Sequence, residues 1–180
     1  MSASDQQRTI RPANTSDAEA CAAIYASYVL ETAISFESIP PSTLEMAERI
    51  TTAISRYAWI VLEEAGVIRG YAYAAPYASR QAYDWSCEVS VYLDRGYSRR
   101  SGAGRALYEE LFKRLEERGF RMLIASITVP NEASLGLHCA MGFEAVGTFK
   151  RIGFKNEQWW DVARLQKPLG NEGEPPRPLK

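Results

Sequence analysis

The chain has 180 residues, 46% of them hydrophobic and 24% charged, which fits one globular domain with a single sizeable core and excludes a disordered or fibrous polymer. Its 21 lysines and arginines stand against 22 acidic residues, so no overall field draws it onto nucleic acid or an anionic membrane, and neither is expected as a partner. Any anion it binds must be caught locally.

The first element is a short extended segment, Thr9 to Arg11. Ser16-Asp17-Ala18-Glu19 then has the spacing of a capping box and predicts a helix with Ile24, Tyr25, Tyr28 and Val29 on its apolar side. A second helix start follows Pro40-Pro41, at Ser42-Thr43-Leu44-Glu45, with Leu44, Ala47, Ile50 and Ile54 as the expected apolar face. From Ala58 the period changes: AWIVLEE, a turn at Ala65-Gly66 and VIRGYAYAAP predict an antiparallel hairpin closed at Pro76. A strand from Cys87 to Leu93 comes after the aromatic AYDW segment. The stretch SRRSGAGRAL leads into a helix in which Leu107, Leu111 and Leu115 recur at four-residue spacing until Gly119 ends it. RMLIASITV reads as a strand, NEASLGLHCAMG as a short helix closed by Gly142, FEAVGTF as a strand, and Trp159 to Leu165 as the last one. This order predicts an α/β fold, a mixed sheet covered by helices, in one domain over residues 8–169. The tail GNEGEPPRPLK, residues 170–180, is expected to be disordered from its Gly, Pro and charge content.

The N-terminal stretch lacks the apolar core of a signal peptide, and no apolar run approaches the roughly 20 residues of a membrane span, so a cytoplasmic protein without membrane attachment is expected. Cys21, Cys87 and Cys139 are odd in number and far apart, and the chain has one histidine. That excludes a disulfide framework and predicts no metal site; each cysteine reads as a buried small apolar residue.

A strand running into a glycine-rich turn and then a helix leaves backbone N–H groups unpaired at the positive end of the helix dipole, which suits phosphate. Gly102 and Gly104 remove side chains there, and Arg99, Arg100 and Arg105 add charge. The P-loop spacing is absent, and a dinucleotide fingerprint counted from Gly102 and Gly104 finds Leu107 where the third glycine belongs. The spacing that fits is R-x-x-G-x-G, from Arg99 to Gly104 at a helix head. It resembles the pyrophosphate loop of the GNAT superfamily of N-acetyltransferases, and Asn131 in VPNEAS stands where that family contacts the acetyl-CoA arm. Within the superfamily the chain is similar to phosphinothricin and methionine sulfoximine acetyltransferases. The stretches that carry this are ISFE (Ile34 to Glu37), AYDWSCEVSVYL (Ala82 to Leu93), GLHCAMGF (Gly136 to Phe143) and GFKNEQWWDV (Gly153 to Val162).

The resemblance implies a GNAT fold: a mixed, mostly antiparallel sheet splayed open between two central parallel strands, with acetyl-CoA in the wedge as cosubstrate. The cofactor-binding residues would be Val91 and Leu93 through their backbone, Arg99, Arg100, Ser101, Gly102, Ala103 and Gly104 of the loop, and Asn131 with Ser134. An amino acid at neutral pH is mostly ammonium, so a base is needed; the resemblance places it at Glu88. His138 stands on the following short helix where many relatives use a tyrosine, and it could protonate the leaving thiolate or share the base role. A backbone N–H near Val91 offers a donor to the developing oxyanion. Arg80 and Lys155 are candidates to hold a substrate carboxylate, and Phe36, Tyr83, Tyr92 and Trp159 to form an apolar wall.

The expected activity is transfer from acetyl-CoA to the amino group of a small amino-acid-like substrate: methionine sulfoximine, methionine sulfone or phosphinothricin. Transfer would be direct, in a ternary complex, since no cysteine occupies a motif position. The resemblance also implies a homodimer. Two alternatives stay open: the same fold acting on a polyamine, an aminoglycoside or a protein N-terminus, and an acyl-CoA-binding sensor without turnover.

Overall fold

The computed structural model describes residues 8–97, 101–171, 173 and 175–179. It opens with β1 (Arg8–Pro12), a 3-10 turn at Thr15–Asp17 and α1 (Ala18–Glu31). The capping box here is Asn14 with Asp17, two residues earlier than Ser16 with Glu19: Asn14 Oδ1 accepts from the Ser16 N–H at 2.9 Å, and Asp17 accepts from the Asn14 N–H at 2.9 Å. Arg11 fixes Asp17 in this place with two hydrogen bonds of 2.8 Å, and the carboxylate is only 5% exposed.

The Arg11 guanidinium holds the Asp17 carboxyl below its ordinary value of 3.8, with burial opposing. Its contribution to stability is therefore complete above that value and is lost as pH falls through the lower folded-state value. Asp17→Asn is expected to cost about 2 kcal/mol at neutral pH, because it leaves part of a charged, nearly buried pair unmatched. In urea titrations the two proteins should converge in acid, and a constant difference across pH would contradict this account.

α2 (Thr43–Arg56) starts at its expected capping box, with Ser42 Oγ accepting from the Glu45 N–H at 3.2 Å and the Glu45 carboxylate accepting from the Ser42 N–H at 2.7 Å. Its buried face is Met46, Ile50 and Ala53, and Leu44 is 71% exposed. Leu44 sits two residues before Met46, about 200° around the helix from the core side.

β2 (Trp59–Glu64) and β3 (Val67–Pro76) form the expected hairpin, and β4 (Ser86–Leu93) follows a 3-10 turn at Gln81–Tyr83. Then come α3 (Ala103–Arg118), β5 (Met122–Val129), α4 (Glu132–Ala140), β6 (Glu144–Lys155) and β7 (Gln158–Pro168). Gly119 ends α3 at φ 101°, its N–H bonded to the Glu116 carbonyl at 2.9 Å. β6 and β7 outrun their expected lengths because a bulge between Phe149 and Gly153, with Arg151 at φ 51°, lets the ladder resume through Lys155↔Gln158.

The strands make one seven-stranded sheet in the order β1-β2-β3-β4-β5-β7-β6, antiparallel except for β4 with β5. That parallel ladder covers only Ser86↔Met122 to Glu88↔Ile124. Beyond it, β4 stays with β3 as far as Leu93 and β5 with β7 as far as Val129, so the sheet splays open past Glu88 as expected. Alternation along the strands gives two cores. One packs Leu62, Cys87, Leu123 and Leu165 against Leu107 and Leu111 of α3, and the other packs Trp59, Val61 and Tyr71 against Tyr25 of α1 and Met46 of α2.

Cys21 and Cys87 are buried as expected, whereas Cys139 is exposed, because α4 turns that side away from the sheet. In the tail, the Arg177 carbonyl accepts from Trp85 Nε1 at 2.7 Å, and Leu179 packs against the α3-side core. Among the described residues no helix is long and apolar enough to cross a membrane, and no group of His, Cys, Asp or Glu could hold a metal ion.

Candidate active site

From Val89 to Leu93, β4 has β3 on one side and no strand on the other among the described residues. The backbone of Val91 and Leu93 thus borders the wedge, where an extended amide chain could add itself as a strand. Tyr28 O–H donates to the Leu93 carbonyl at 2.7 Å and ties the end of this strand to α1.

The wedge ends at the head of α3. Gly102 is its N-cap at φ 74°, a left-handed conformation that a side chain resists, and nothing lies within 4 Å of where its Cβ would be. No side chain caps the helix; Ala103 N–H makes only a 3.4 Å contact to Ser101 Oγ. First-turn N–H groups therefore stand open at the positive end of a 16-residue helix, with Gly104 in that turn. Arg8 crosses from β1 to brace the loop, donating to the Ser101 carbonyl at 3.0 Å and to its Oγ at 3.2 Å. Arg99 and Arg100 lie outside the described residues.

Asn131 caps α4, with Oδ1 accepting from the Ser134 N–H at 3.1 Å. Four residues on, His138 is 3% exposed, its Nδ1 donating to the Ser134 carbonyl at 2.8 Å. That fixes the tautomer, so Nε2 accepts from Tyr108 O–H at 3.0 Å. Burial pushes the imidazole below the ordinary histidine value, which keeps it neutral at pH 7. Both ring nitrogens are engaged within the fold, and Phe143 meets the ring edge-on at 5.0 Å.

Glu88 is the last β4 residue paired to β5. Ser126 Oγ donates to Glu88 Oε1, Arg164 Nη1 donates to Ser126 Oγ, and Arg164 Nη1 also lies 3.4 Å from Glu88 Oε1. The guanidinium stands 5.6 Å from the ring centre of Tyr77, which packs edge-on against Tyr83 at 5.4 Å. Next to Glu88, across the β3 register at Ala75 and Tyr73, a cavity of about 510 Å³ opens between β3 and α2, bordered by Tyr25 and Arg49.

Other expected substrate residues are placed differently. Lys155 Nζ donates to the carbonyls of Val29, Ser35 and Glu37 at 2.7, 2.6 and 2.9 Å. An ammonium has three protons, so Lys155 holds the ISFE segment and has no donor left for a carboxylate. Arg80 is exposed at the turn before Tyr83, without a side-chain hydrogen bond or ion pair to the described residues. Tyr92 belongs to an aromatic cluster with Tyr25 and Tyr28, at 5.0 and 5.1 Å, on the face that Glu88 shares. Phe36 lies over Gly153, where a Cβ would overlap its ring, and Trp159 packs on Phe154 at 5.2 Å. The structure thus joins Tyr83 to Glu88 through Tyr77 and Arg164, and gathers Phe36 and Trp159 on the β6-β7 hairpin.

An acetyltransferase (GNAT) domain model matches residues 10–163. The chain belongs to the GNAT acetyltransferases. A phosphinothricin N-acetyltransferase of Streptomyces viridochromogenes is 37% identical over 171 residues, 95% of this chain and 92% of that protein. The L-methionine sulfoximine/L-methionine sulfone acetyltransferase of Salmonella typhimurium is 30% identical over 171 residues, covering 93% and 98%. Among solved structures, a GNAT superfamily phosphinothricin acetyltransferase from Sinorhizobium meliloti, in complex with AcCoA, matches with a TM-score of 0.89 at 39% identity, over 94% of this chain and 93% of that one.

In this GNAT acetyltransferase, Ser126 and Arg164 join the candidate site through Glu88, and sequence reasoning passed them over. The available signal was polarity out of place: a serine inside the apolar run LIASITV, and an arginine at an alternating position of WDVARLQ.

Proposed function

We propose that this GNAT acetyltransferase moves the acetyl group of acetyl-CoA directly onto the amino group of a small amino-acid analogue: methionine sulfoximine, methionine sulfone or phosphinothricin. The observation that carries this is the wedge itself, an open strand edge running from a hydrogen-bonded carboxylate, Glu88, to the uncapped head of α3. Similarity to acetyltransferases of amino-acid analogues supports the substrate class.

Acetyl-CoA fits the residues present: the open first-turn N–H of Gly104 and the left-handed Gly102 would take the pyrophosphate, the β4 edge at Val91 and Leu93 would pair with amides, and Asn131 and Ser134 would border the far side. Bound there, acetyl-CoA supplies an activated thioester. Glu88 takes the proton from the substrate ammonium, so that the nitrogen can attack. The β4 edge near Val91 presents backbone N–H to developing negative charge. His138, neutral and doubly bonded, acts as a positioning residue that locks α4 to Tyr108. Direct transfer accords with two of the three thiols: burial pushes Cys21 up to about 12 and Cys87 up as well, which removes their thiolates at neutral pH.

Thiol release from acetyl-CoA is expected with methionine sulfoximine or phosphinothricin, and not with a polyamine or a basic peptide; the reverse pattern would overturn the substrate class, and cofactor binding without release would leave a sensor. Gly102→Val is expected to weaken acetyl-CoA binding about tenfold, from the strain of a β-branched residue at positive φ. Equal affinity by calorimetry would remove the loop from the site.

We also propose a homodimer. β6 is an edge strand of 12 residues with Val146, Phe149, Ile152 and Phe154 exposed, apolar side chains along an open edge that a second copy would cover. Sedimentation as a monomer at micromolar concentration would contradict it.

A further inference from the structure

We infer that Arg164 is the carboxylate receptor of the acceptor site, so that Glu88 and Arg164 together read the ammonium and carboxylate of an α-amino acid. This rests on the proposed acetylation of an amino-acid analogue. Arg164 lies on β7 directly opposite Ser126 of β5, and Ser126 shares its face with Ile124, the β5 partner of Glu88. The three side chains therefore meet at the mouth of the wedge, where the sheet opens.

Within this cluster only Nη1 of the guanidinium is engaged; Nε and Nη2 have no hydrogen-bond partner among the described residues. The guanidinium carbon lies over the Tyr77 ring, 5.6 Å from its centre, and the side chain keeps 22% exposure. An arginine with a free Nε/Nη2 edge presents the fork that binds a carboxylate through two parallel hydrogen bonds. In an α-amino acid, one carbon separates the ammonium from the carboxylate. The Glu88–Arg164 pair, 3.4 Å apart, has the same two charges in reverse order and the same close spacing. A zwitterion can match both at once, its ammonium on Glu88 and its carboxylate on Arg164.

The other candidate cations are committed elsewhere or unbonded to the cluster. Lys155 has all three protons on backbone carbonyls, and Arg49 is forked onto Glu37 at 2.8 and 3.0 Å. Arg80 has no contact with Glu88, Ser126 or Arg164.

The test compares phosphinothricin with its α-carboxamide, at saturating acetyl-CoA, in wild type, Arg164→Gln and Arg164→Lys. Wild type is expected to favour the acid by about 100-fold in kcat/KM, since a charge-assisted pair is lost with the amide. Arg164→Gln should raise KM for the acid by about 100-fold and bring the acid-to-amide ratio of kcat/KM close to one, which collapses the preference. Arg164→Lys keeps the charge without the fork and should fall between. It also covers the case in which the glutamine variant does not fold, and unchanged acetyl-CoA affinity reports that the wedge is intact. A preference for the acid that stays undiminished in either variant, or an equal loss on acid and amide, overturns the inference while the proposed function stands. Turnover of neither compound by wild type, with release on another amine, overturns the proposed function and the inference with it.

Discussion

Glu88→Gln is expected to lower kcat by about 100- to 10,000-fold, with acetyl-CoA affinity unchanged. The size follows from the acceptor, which arrives as an ammonium and must lose a proton before its nitrogen can attack. Glutamine keeps the shape and can still accept from Ser126, but it offers no basic oxygen and sets an amide beside Arg164. The variant should become more active as pH rises, because bulk solvent then supplies the free amine. A kcat within twofold of wild type over the same pH range would remove Glu88 from the proton transfer. Weaker acetyl-CoA binding would show that the change disturbed the wedge rather than the chemistry.

Lys155→Met is expected to cost about 3 kcal/mol of stability, since methionine fills the space of the stem and leaves three carbonyl acceptors without their donor. In a domain of this size that corresponds to a fall of about 8 °C in Tm. The kinetic consequence should be one-sided. The freed segment carries Ser35, bonded to Tyr25 at 2.7 Å, and Phe36 over Gly153, so KM for the amino acid rises while acetyl-CoA affinity holds. A variant with wild-type Tm but a KM raised as much as in Arg164→Gln would mean that Lys155 contacts substrate after all.

Local signals were legible where both partners lie within one turn: Ser42 with Glu45 announced α2, and Gly119 announced the end of α3. The same kind of signal misled at α1, where Arg11, six residues before Asp17, holds the cap two residues earlier. The wedge was legible through resemblance, and the three-residue parallel ladder agrees with it. Lys155 was not legible, because its acceptors lie 118 to 126 residues away, and nothing in GFKNEQWW tells a substrate cation from a structural one. Arg164 and Ser126 were hidden for a related reason: their meaning depends on the register of β5 with β7 and on the side of the sheet that Glu88 faces. Sequence places a charge on a strand, but only cross-strand neighbours decide what that charge meets.

The brace from Arg8 to Ser101 joins the first strand to the helix head across 93 positions of chain. β1 sits at the outer edge of the sheet, paired to β2 alone, so its first residue is the part of the ladder with the least support. Fraying of that edge would release the turn before α3 and loosen the grip on a pyrophosphate without moving Glu88. With the coenzyme at the proposed site, its affinity would be tied to the order of the strand farthest from β6, and a trimmed or bulky amino end would be felt as a weaker hold on the acyl donor rather than as slower chemistry.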